Sequence, residues 1–287
     1  MKTLVQKITT VIGLTVSLGL ASCEKDGLLT PNPAGSARSG AANDNIVVGM
    51  PQVHKLTKYG DATLTYADNG KLINVTTPVS GSLAIQTDYT YSPGKIKAST
   101  YQGYTTLRIE TFTLDASGRC TESVVSTPYG ATGWKYTYTA KGQLWTCTNK
   151  ILLNEGTTYN YNADGDMVLA TVSTVVQGVV NIKFAYSQRT VAGLLNDKYP
   201  VNLNVPKIPE HDAYLRIFGK PSKHLVQRVS YEPSADPYYP APSDRFYTYV
   251  LNVDGYVKQR SMSHTLGGNS VETTAYEYVL TDIGFSF

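Results

Sequence analysis

The chain has 287 residues with a formal net charge of +3, and only 16% of its residues are charged. Soluble domains usually carry roughly 25% charged residues, and no Lys/Arg cluster points to nucleic acid, so we expect no nucleic-acid partner. Tyrosine, with 22 copies, and abundant threonine favour strands. The length after an N-terminal segment suits one large β domain or two small ones.

Residues 1–22 have the pattern of a secretory signal peptide. Lys2 and Lys7 give a positive start, an apolar run covers 8–20, and the tetrapeptide 20–23 (LASC) closes it. The run is shorter than the ~20 residues of a spanning helix, which favours a signal peptide. The tetrapeptide resembles the bacterial lipobox. That resemblance implies cleavage before Cys23 and its acylation, which gives stable membrane anchoring; the alternative is an incidental cysteine.

Residues 23–52 form a predicted tether. Glu24 and Asp26 follow the cysteine directly, and acidic residues there resemble the signal that sends some Gram-negative lipoproteins to the cell surface. The alternative is the solvated start of a linker. From Gly27 to about Asn45 the chain is rich in Gly, Ala, Ser, Asn and Pro, which is typical of flexible linkers. We expect an outer-membrane lipoprotein on the periplasmic or cell-surface face.

A glycine then recurs at a nearly fixed interval behind a Tyr-rich segment. The turn glycines are Gly70, Gly94, Gly118, Gly142, Gly165 and, after a gap, Gly255. A fixed period indicates one supersecondary unit used repeatedly. Apolar or aromatic residues lie mostly six and four positions before the glycine and two after it, which is the period of a half-buried strand. Glycine accepts the positive φ of a hairpin turn.

Each unit is therefore one hairpin. Successive hairpins predict an all-β antiparallel meander of about six to eight hairpins, forming a curled open sheet or a barrel in a single domain over 53–287. The Pro-rich stretch 187–245 breaks the rhythm and is predicted to be an irregular insertion. It is either a binding surface or a plug or cover over an open sheet edge. The Tyr/Thr hairpins lack a lipid-facing apolar band, which favours a sheet in water.

The unit over 64–72 (LTYADNGKL) resembles the YD or RHS repeat, whose consensus is Tyr-Asp-x-x-Gly-Arg-Leu and which builds β-sheet shells in large secreted proteins. In size and context the chain is similar to Gram-negative, Bacteroidetes-type lipoproteins of unknown function with a porin-like fold. Those proteins combine a lipobox, a tether and Tyr-rich hairpins, and 218–225 (FGKPSKHL) is similar to a segment in them. The resemblance implies a porin-like fold and no particular chemistry.

Cys120 and Cys147 are the two cysteines outside the lipobox. They follow their turn glycines by two and by five residues, so strict alternation predicts that their side chains point to opposite faces. One strand also separates theirs, at roughly 4.8 Å per strand spacing. We expect no disulfide between them.

The sequence contains little that predicts catalysis. No Gly-x-Ser-x-Gly, phosphate-binding or nucleotide motif occurs. Glu210, His211 and Asp212 are adjacent, but neighbours in an extended chain point opposite ways, which favours a solvated loop over a metal or hydrolase site. The segment 162–166 favours an ordinary Asx turn over a calcium loop. We predict no cofactor, no metal and no catalytic residue.

Aromatic side chains are the remaining binding candidates. We single out Trp134, Trp145, Tyr238 and Tyr239, because exposed Tyr and Trp offer large amphipathic area that can stack on sugar faces. The alternative is that they are core aromatics and cross-strand pairs. The sequence thus predicts a non-enzymatic envelope lipoprotein that binds a glycan or an envelope partner. The alternatives are a hydrolase that uses the carboxylates of the insertion, and a structural or adhesive surface shell.

Overall fold

The computed structural model describes residues 52–79, 83–175, 178–186, 189–190, 193–199, 212–232 and 242–282. The chain divides into Met1–Val48 and Gly49–Phe287, and every described residue belongs to the second unit. The predicted signal peptide, Cys23 and nearly all of the predicted tether lie outside the described residues. Among those that are described, no helix is long and apolar enough to cross a membrane.

The described residues form antiparallel strands joined mostly by short turns. In chain order they are β1 Gln52–Tyr59, β2 Ala62–Tyr66, β3 Leu72–Pro78, β4 Ala84–Ser92, β5 Lys95–Gln102, β6 Thr105–Leu114, β7 Cys120–Thr127, β8 Gly130–Tyr138, β9 Leu144–Asn149, β10 Gly156–Tyr161, β11 Met167–Thr174, β12 Gly178–Ala185, β13 Arg189–Thr190, β14 Gly193–Leu194, β15 Arg228–Tyr231, β16 Arg245–Leu251, β17 Val257–Ser263 and β18 Glu272–Asp282. Sixteen of them form one closed barrel, and β13 pairs separately with β14.

The barrel is sealed by its first and last strands. β1 pairs with β18 from Gln52↔Asp282 to Tyr59↔Tyr276, which removes both open edges. The predicted all-β antiparallel meander is confirmed. The predicted six to eight hairpins in a curled open sheet or barrel are replaced by a closed sixteen-stranded barrel. Side-chain alternation predicts which face of a strand is buried, but it carries no information on whether two distant edges meet.

Most glycine turns share a geometry that simple alternation does not reveal. At Gly142, whose φ is +82°, the pairing moves from Thr137↔Thr146 to Tyr138↔Leu144. The strand that leaves the turn thus carries one extra residue, a β-bulge, and its side chains change faces beyond it. The same shift accompanies Gly70, Gly118, Gly165 and Gly255, but not the shorter turn at Gly94.

This bulge corrects the predicted orientation of the cysteines. Cys120 and Cys147 are 0% and 1% exposed, and Cys147 pairs opposite Tyr136, whose ring is also buried. Both side chains therefore point inward, because the extra residue cancels the difference in parity between their positions. The prediction of opposite faces was wrong. β8 lies between their strands, and no disulfide joins them in the described part of the chain.

The repeated tyrosines fill the barrel and tie neighbouring hairpins together. Tyr91 Oη donates to the carbonyl of Leu72 at 2.8 Å, and Tyr161 Oη donates to the carbonyl of Leu144 at 2.8 Å. Both acceptors lie two residues after the turn glycine of the preceding hairpin. Tyr138 and Tyr186 bind Cys120 and Met167 in the same way. The tyrosine thus provides a partner for a carbonyl at the bulge, where the regular ladder of main-chain bonds is interrupted.

A sixteen-stranded barrel is too wide for the side chains of its own wall to fill. Residues 212–226, which we call the plug, supply the missing interior. Leu215, Ile217 and Phe218 of the plug are buried, and the ring of Phe218 lies 6.1 Å from that of Phe112 and 5.2 Å from that of Tyr136. The plug belongs to the predicted insertion 187–245, of which β15 is instead a strand of the wall.

The plug is fastened where the glycine turns lie, which we call the turn end. Cys120 N donates to the carbonyl of Ile217 at 2.7 Å, and Lys220 N donates to the carbonyl of Gly142 at 2.8 Å. Gly219, between them, has a φ of +80°, and a Cβ there would lie 2.6 Å from the Gly142 carbonyl oxygen. Only glycine fits this approach, so the turn and the plug contact each other through their main chains.

Asp166 binds the plug from the next glycine turn. Its main-chain N–H donates to Asn162 Oδ1 at 2.9 Å, so the Asn162 side chain holds the two ends of the turn 162–166 together. Its carboxylate accepts the main-chain N–H groups of Lys223 and His224, both at 2.9 Å, and lies 2.7 Å from His224 Nδ1. The residue is 0% exposed, so a buried charge is offset here by hydrogen bonds from the plug.

Candidate binding face and interior polar cluster

The turns at the end opposite the turn end, which we call the rim, expose large apolar side chains. They are Leu83, Tyr104, Tyr129, Ile151, Leu152, Leu153, Val175, Val179, Leu266 and Val271. Tyr104 and Tyr129 are fully exposed because each lies at the tip of a tight turn, beyond the strands that the structure describes. Exposed apolar residues grouped at one end of a molecule are typical of a binding surface.

The tips at the turn end are different. Asp68, Asn69, Ser117, Lys141 and Asp164 are exposed there. Among the described residues at those tips, Val253 is the one exposed large apolar side chain. The two ends are built from the same hairpins, so the sequence has placed its exposed apolar surface selectively at the rim.

A cleft of about 300 Å³ lies beside the last turn of the rim. Phe246, Met262 and Leu266 are among the residues that line it. β15 pairs with β16 over only Arg228↔Phe246 and Val229↔Arg245, so the wall is thinly connected next to this cleft. The cleft gives the rim a concave, partly apolar pocket, which is the usual form of a small-molecule site.

A polar cluster lies inside the barrel, made of Tyr89, Arg108, Glu110 and Asp212. Tyr89 Oη donates to Asp212 Oδ2 at 2.9 Å, and the main-chain N–H groups of Tyr214 and Leu215 donate to the other carboxylate oxygen of Asp212 at 2.9 and 3.1 Å. Arg108 pairs with Glu110 Oε2. The Glu110 side chain is 3% exposed whereas that of Arg108 is 40% exposed, so the arginine forms the solvent side of the cluster.

The two carboxyl groups of this cluster both have raised pKa values. Burial raises the pKa of Glu110, the Arg108 guanidinium opposes that shift, and the Asp212 carboxylate adds to it. Burial likewise raises the pKa of Asp212, with the hydrogen bonds from Tyr214 and Tyr89 opposing it. Oε1 of Glu110 is buried without a hydrogen-bond partner among the described residues. The interior thus holds an acidic pair that can accept or donate hydrogen bonds.

The structure does not bring the aromatic candidates together. Trp134 is half-buried and packs against the core from inside the barrel, whereas Trp145 lies on the outer wall with 52% of its area exposed. Tyr238 and Tyr239 lie outside the described residues. Trp145 faces outward because it directly follows inward Leu144 at the bulge.

Of the predicted hydrolase trio, Asp212 belongs to the interior polar cluster, while Glu210 and His211 lie outside the described residues. Within the described ranges, no group of three or more His, Cys, Asp or Glu is placed to hold a metal ion. The sequence patterns did not indicate the rim tyrosines or Glu110 as site residues. Glu110 shares the parity of buried Phe112 on β6, and that signal could have placed it inside the barrel.

Two solved structures that are similar to this chain come from Bacteroides. The chain is similar to a porin-like protein from Bacteroides uniformis ATCC 8492, with 16% identity and a TM-score of 0.54 over 80% of this chain and 95% of that one. It is also similar to a porin-like protein from Bacteroides vulgatus ATCC 8482, with 14% identity and a TM-score of 0.54 over 77% and 97%. No protein-family model and no curated protein matches the chain. The predicted porin-like fold is therefore confirmed; lipidation and the YD/RHS relationship stay predictions.

Proposed function

We propose that this chain is a lipid-anchored protein of the bacterial outer membrane whose barrel binds a ligand at the rim. The observation that carries the proposal is the set of exposed apolar and aromatic turn tips at one end of the barrel. Leaving such area in water is unfavourable by roughly 25 cal/mol per Å². A bound partner that covers the tips recovers that free energy.

The barrel is better suited to binding a ligand than to conducting solutes across a membrane. The plug and the repeat tyrosines occupy the interior at the turn end. The outward positions of β2 and β10 are Thr63, Thr65, Thr158 and Asn160, all exposed, whereas a membrane-spanning barrel needs an outward apolar band about 25 Å tall. The similarity to porin-like structures concerns the fold alone. The filled interior and the polar outward positions favour a barrel that is surrounded by water.

The ligand class that best fits the rim is a glycan. Tyr104 and Tyr129 present whole rings to solvent, and aromatic rings suit the apolar faces of sugars. Lys150, next to the rim tips, is held in an ion pair with Glu122, and the exposed tips themselves are mainly aromatic and aliphatic.

The test is a glycan array followed by calorimetry with the double substitution Tyr104→Ala and Tyr129→Ala. Trp145→Ala is the matched control, because it removes an exposed aromatic ring from the outer wall. We expect the double variant to lose binding at least tenfold with an unchanged unfolding midpoint, and the control to bind normally. Equal binding by the double variant would contradict the proposal. Binding lost in the control alone would move the site to the outer wall.

The anchor needs its own test. We propose that Cys23 is acylated, and the lipobox-like tetrapeptide together with the linker-like composition that follows supports this. Metabolic labelling with a fatty-acid probe should label the wild type and leave Cys23→Ser unlabelled. Protease treatment of intact cells then distinguishes the cell-surface face from the periplasmic face.

A hydrolase is the second candidate, and the interior polar cluster is the observation that favours it. Glu110 and Asp212 bring two carboxyl groups into one interior cluster, and both have raised pKa values. Glycosidases use a pair of carboxyl groups, one of which acts as a general acid. Sugar release by the purified protein that is lost in both Glu110→Gln and Asp212→Asn would establish this alternative. Binding without release, unaffected by Glu110→Gln, would leave the binding proposal.

A further inference from the structure

The turn end carries exposed lysines in a ring. They are Lys71, Lys95, Lys141, Lys198, Lys220 and Lys223, and we call them the basic collar. The exposed carboxylates at the same turn tips are Asp68, Asp164 and Asp254. No ion pair within the described part of the chain engages a collar lysine; the pairs there engage Lys58, Lys150 and Lys183. The collar is therefore a surface of net positive charge.

The collar is also partly ordered by the fold. Lys71 lies over the ring of Tyr91 at 5.1 Å and Lys198 over the ring of Tyr256 at 5.9 Å. A cation held over an aromatic face loses less freedom when it meets an anion. Lys220 belongs to the fastened part of the plug, where its N–H bonds the Gly142 carbonyl. The collar thus presents its charges from a rigid frame.

The chain enters the barrel at this same end. β1 starts at Gln52 beside Asp282 of β18 and runs toward the rim turn after Tyr59. A tether over 23–52 therefore joins the barrel at the turn end. A flexible linker of that length has an end-to-end distance of about 30 Å. An acylated Cys23 would hold the basic collar within reach of the headgroups of its own membrane.

We propose that the basic collar docks on the phosphate groups of anionic lipids in the membrane that holds the anchor, so that the rim points away from that membrane. This inference rests on the proposed lipid anchor and on no property of the rim ligand. Each lysine near an anionic surface strengthens docking about fivefold, and the attraction extends over a Debye length of about 8 Å at physiological salt. Lys58 and Lys150, which lie close to the rim, are held in ion pairs with Glu277 and Glu122, so the rim offers no comparable set of unpaired lysines among the described residues.

The test uses the mature lipidated protein in vesicles of phosphatidylcholine, with or without phosphatidylglycerol. A fluorophore is attached at Ser117→Cys on the turn end or at Thr105→Cys on the rim, and energy transfer to a lipid-borne acceptor is measured. The buried native thiols, Cys120 and Cys147, should not compete for the label. We expect much stronger transfer from the turn-end label in anionic vesicles, and loss of that difference in neutral vesicles or at high salt.

The triple substitution Lys141→Gln, Lys220→Gln and Lys223→Gln should weaken docking on the order of a hundredfold and remove the difference in transfer. The control removes three cations from elsewhere by Lys135→Gln, Lys150→Gln and Lys183→Gln and should keep it. Stronger transfer from the rim label, or equal effects of the two triple variants, would overturn the proposal. Vesicle flotation separates failure of the lipid anchor from failure of collar docking. A protein that does not float with the vesicles lacks the anchor, whereas one that floats without the difference in transfer lacks the docking.

Discussion

At the turn end, glycine hairpins hold the plug through main-chain bonds and expose lysine and aspartate. At the rim, the opposite turns of the same strands expose leucine, isoleucine, valine and tyrosine. This difference shows that the glycine repeat specifies the structure of the turn end but not that of the rim. Rim turns also contain positive-φ glycines, such as Gly103 and Gly178. At the turn end, however, most such glycines are followed by a bulge, and at several of them a tyrosine hydroxyl binds the carbonyl at the bulge. The rim turns lack this repeated combination and are available to carry function.

The largest effect should come from breaking the contact between turn and plug. Gly219→Ala adds a Cβ that would lie 2.6 Å from the Gly142 carbonyl oxygen, while Gly118→Ala adds one at nearly the same φ with nothing within 4 Å. Both substitutions destabilise the fold by about 1–2 kcal/mol because alanine is strained at positive φ. Only Gly219→Ala adds a steric clash, which costs about 1–3 kcal/mol more. Urea unfolding should therefore rank Gly219→Ala well below Gly118→Ala. Equal losses would mean that the plug is not held against the turn.

The next effect concerns the carboxylate that binds the plug. Asp166→Asn keeps the shape of the side chain but leaves only one oxygen for the three groups that Asp166 serves, so we expect a loss of about 1–3 kcal/mol in unfolding free energy. Asp164→Asn, two residues away and exposed, is the matched control and should have no measurable effect. If both variants unfold like the wild type, Asp166 does not fasten the plug.

A smaller effect should come from the ties between hairpins. Tyr161→Phe removes the donor to the Leu144 carbonyl, which should cost about 1 kcal/mol. Tyr104→Phe removes a hydroxyl from an exposed ring and should cost nothing. Denaturant midpoints measured side by side decide this, and identical midpoints would show that water replaces the tyrosine at the bulge.

The pH dependence of stability tests the interior polar cluster. Because burial raises the pKa of Glu110 and of Asp212, the folded state binds more protons than the unfolded state above the ordinary carboxyl range. The free energy of unfolding should then fall as pH rises from 5 toward 8. Glu110→Gln should reduce that fall, since only Asp212 remains. A slope unchanged by the substitution would place Glu110 in a solvated setting.

Particular residues show how far the sequence reached. The glycine period and the alternation of Tyr136 and Tyr159 were sufficient for an all-β meander with a tyrosine interior, and both rings are buried. Cys147 was misplaced because a bulge changes parity, and parity is invisible without the pairing register. Closure depended on β1 meeting β18, a contact between the two ends of the domain that no local pattern contains. In the Pro-rich stretch 187–245, the irregular sequence contains no pattern from which the wall strand β15 or the plug could be predicted.

Tyr104 and Tyr129 were missed for a different reason. The periodic signal lies within strands, and residues at turn tips have no partner position that would predict burial or exposure. An aromatic residue directly beside a glycine in a turn that opposes the glycine-repeat turns is the signal that could have found them.

The claim on which the rest depends is that residues 212–226 close the turn end of the barrel. Hydrogen exchange at the main-chain amides of Lys220, Lys223 and His224 tests it most directly, because each donates to the wall at 2.8–2.9 Å. We expect these amides to exchange as slowly as those of the central strands, near the rate set by global unfolding. Exchange at the rate of a free peptide, while the strands stay protected, would show that the plug does not close the barrel.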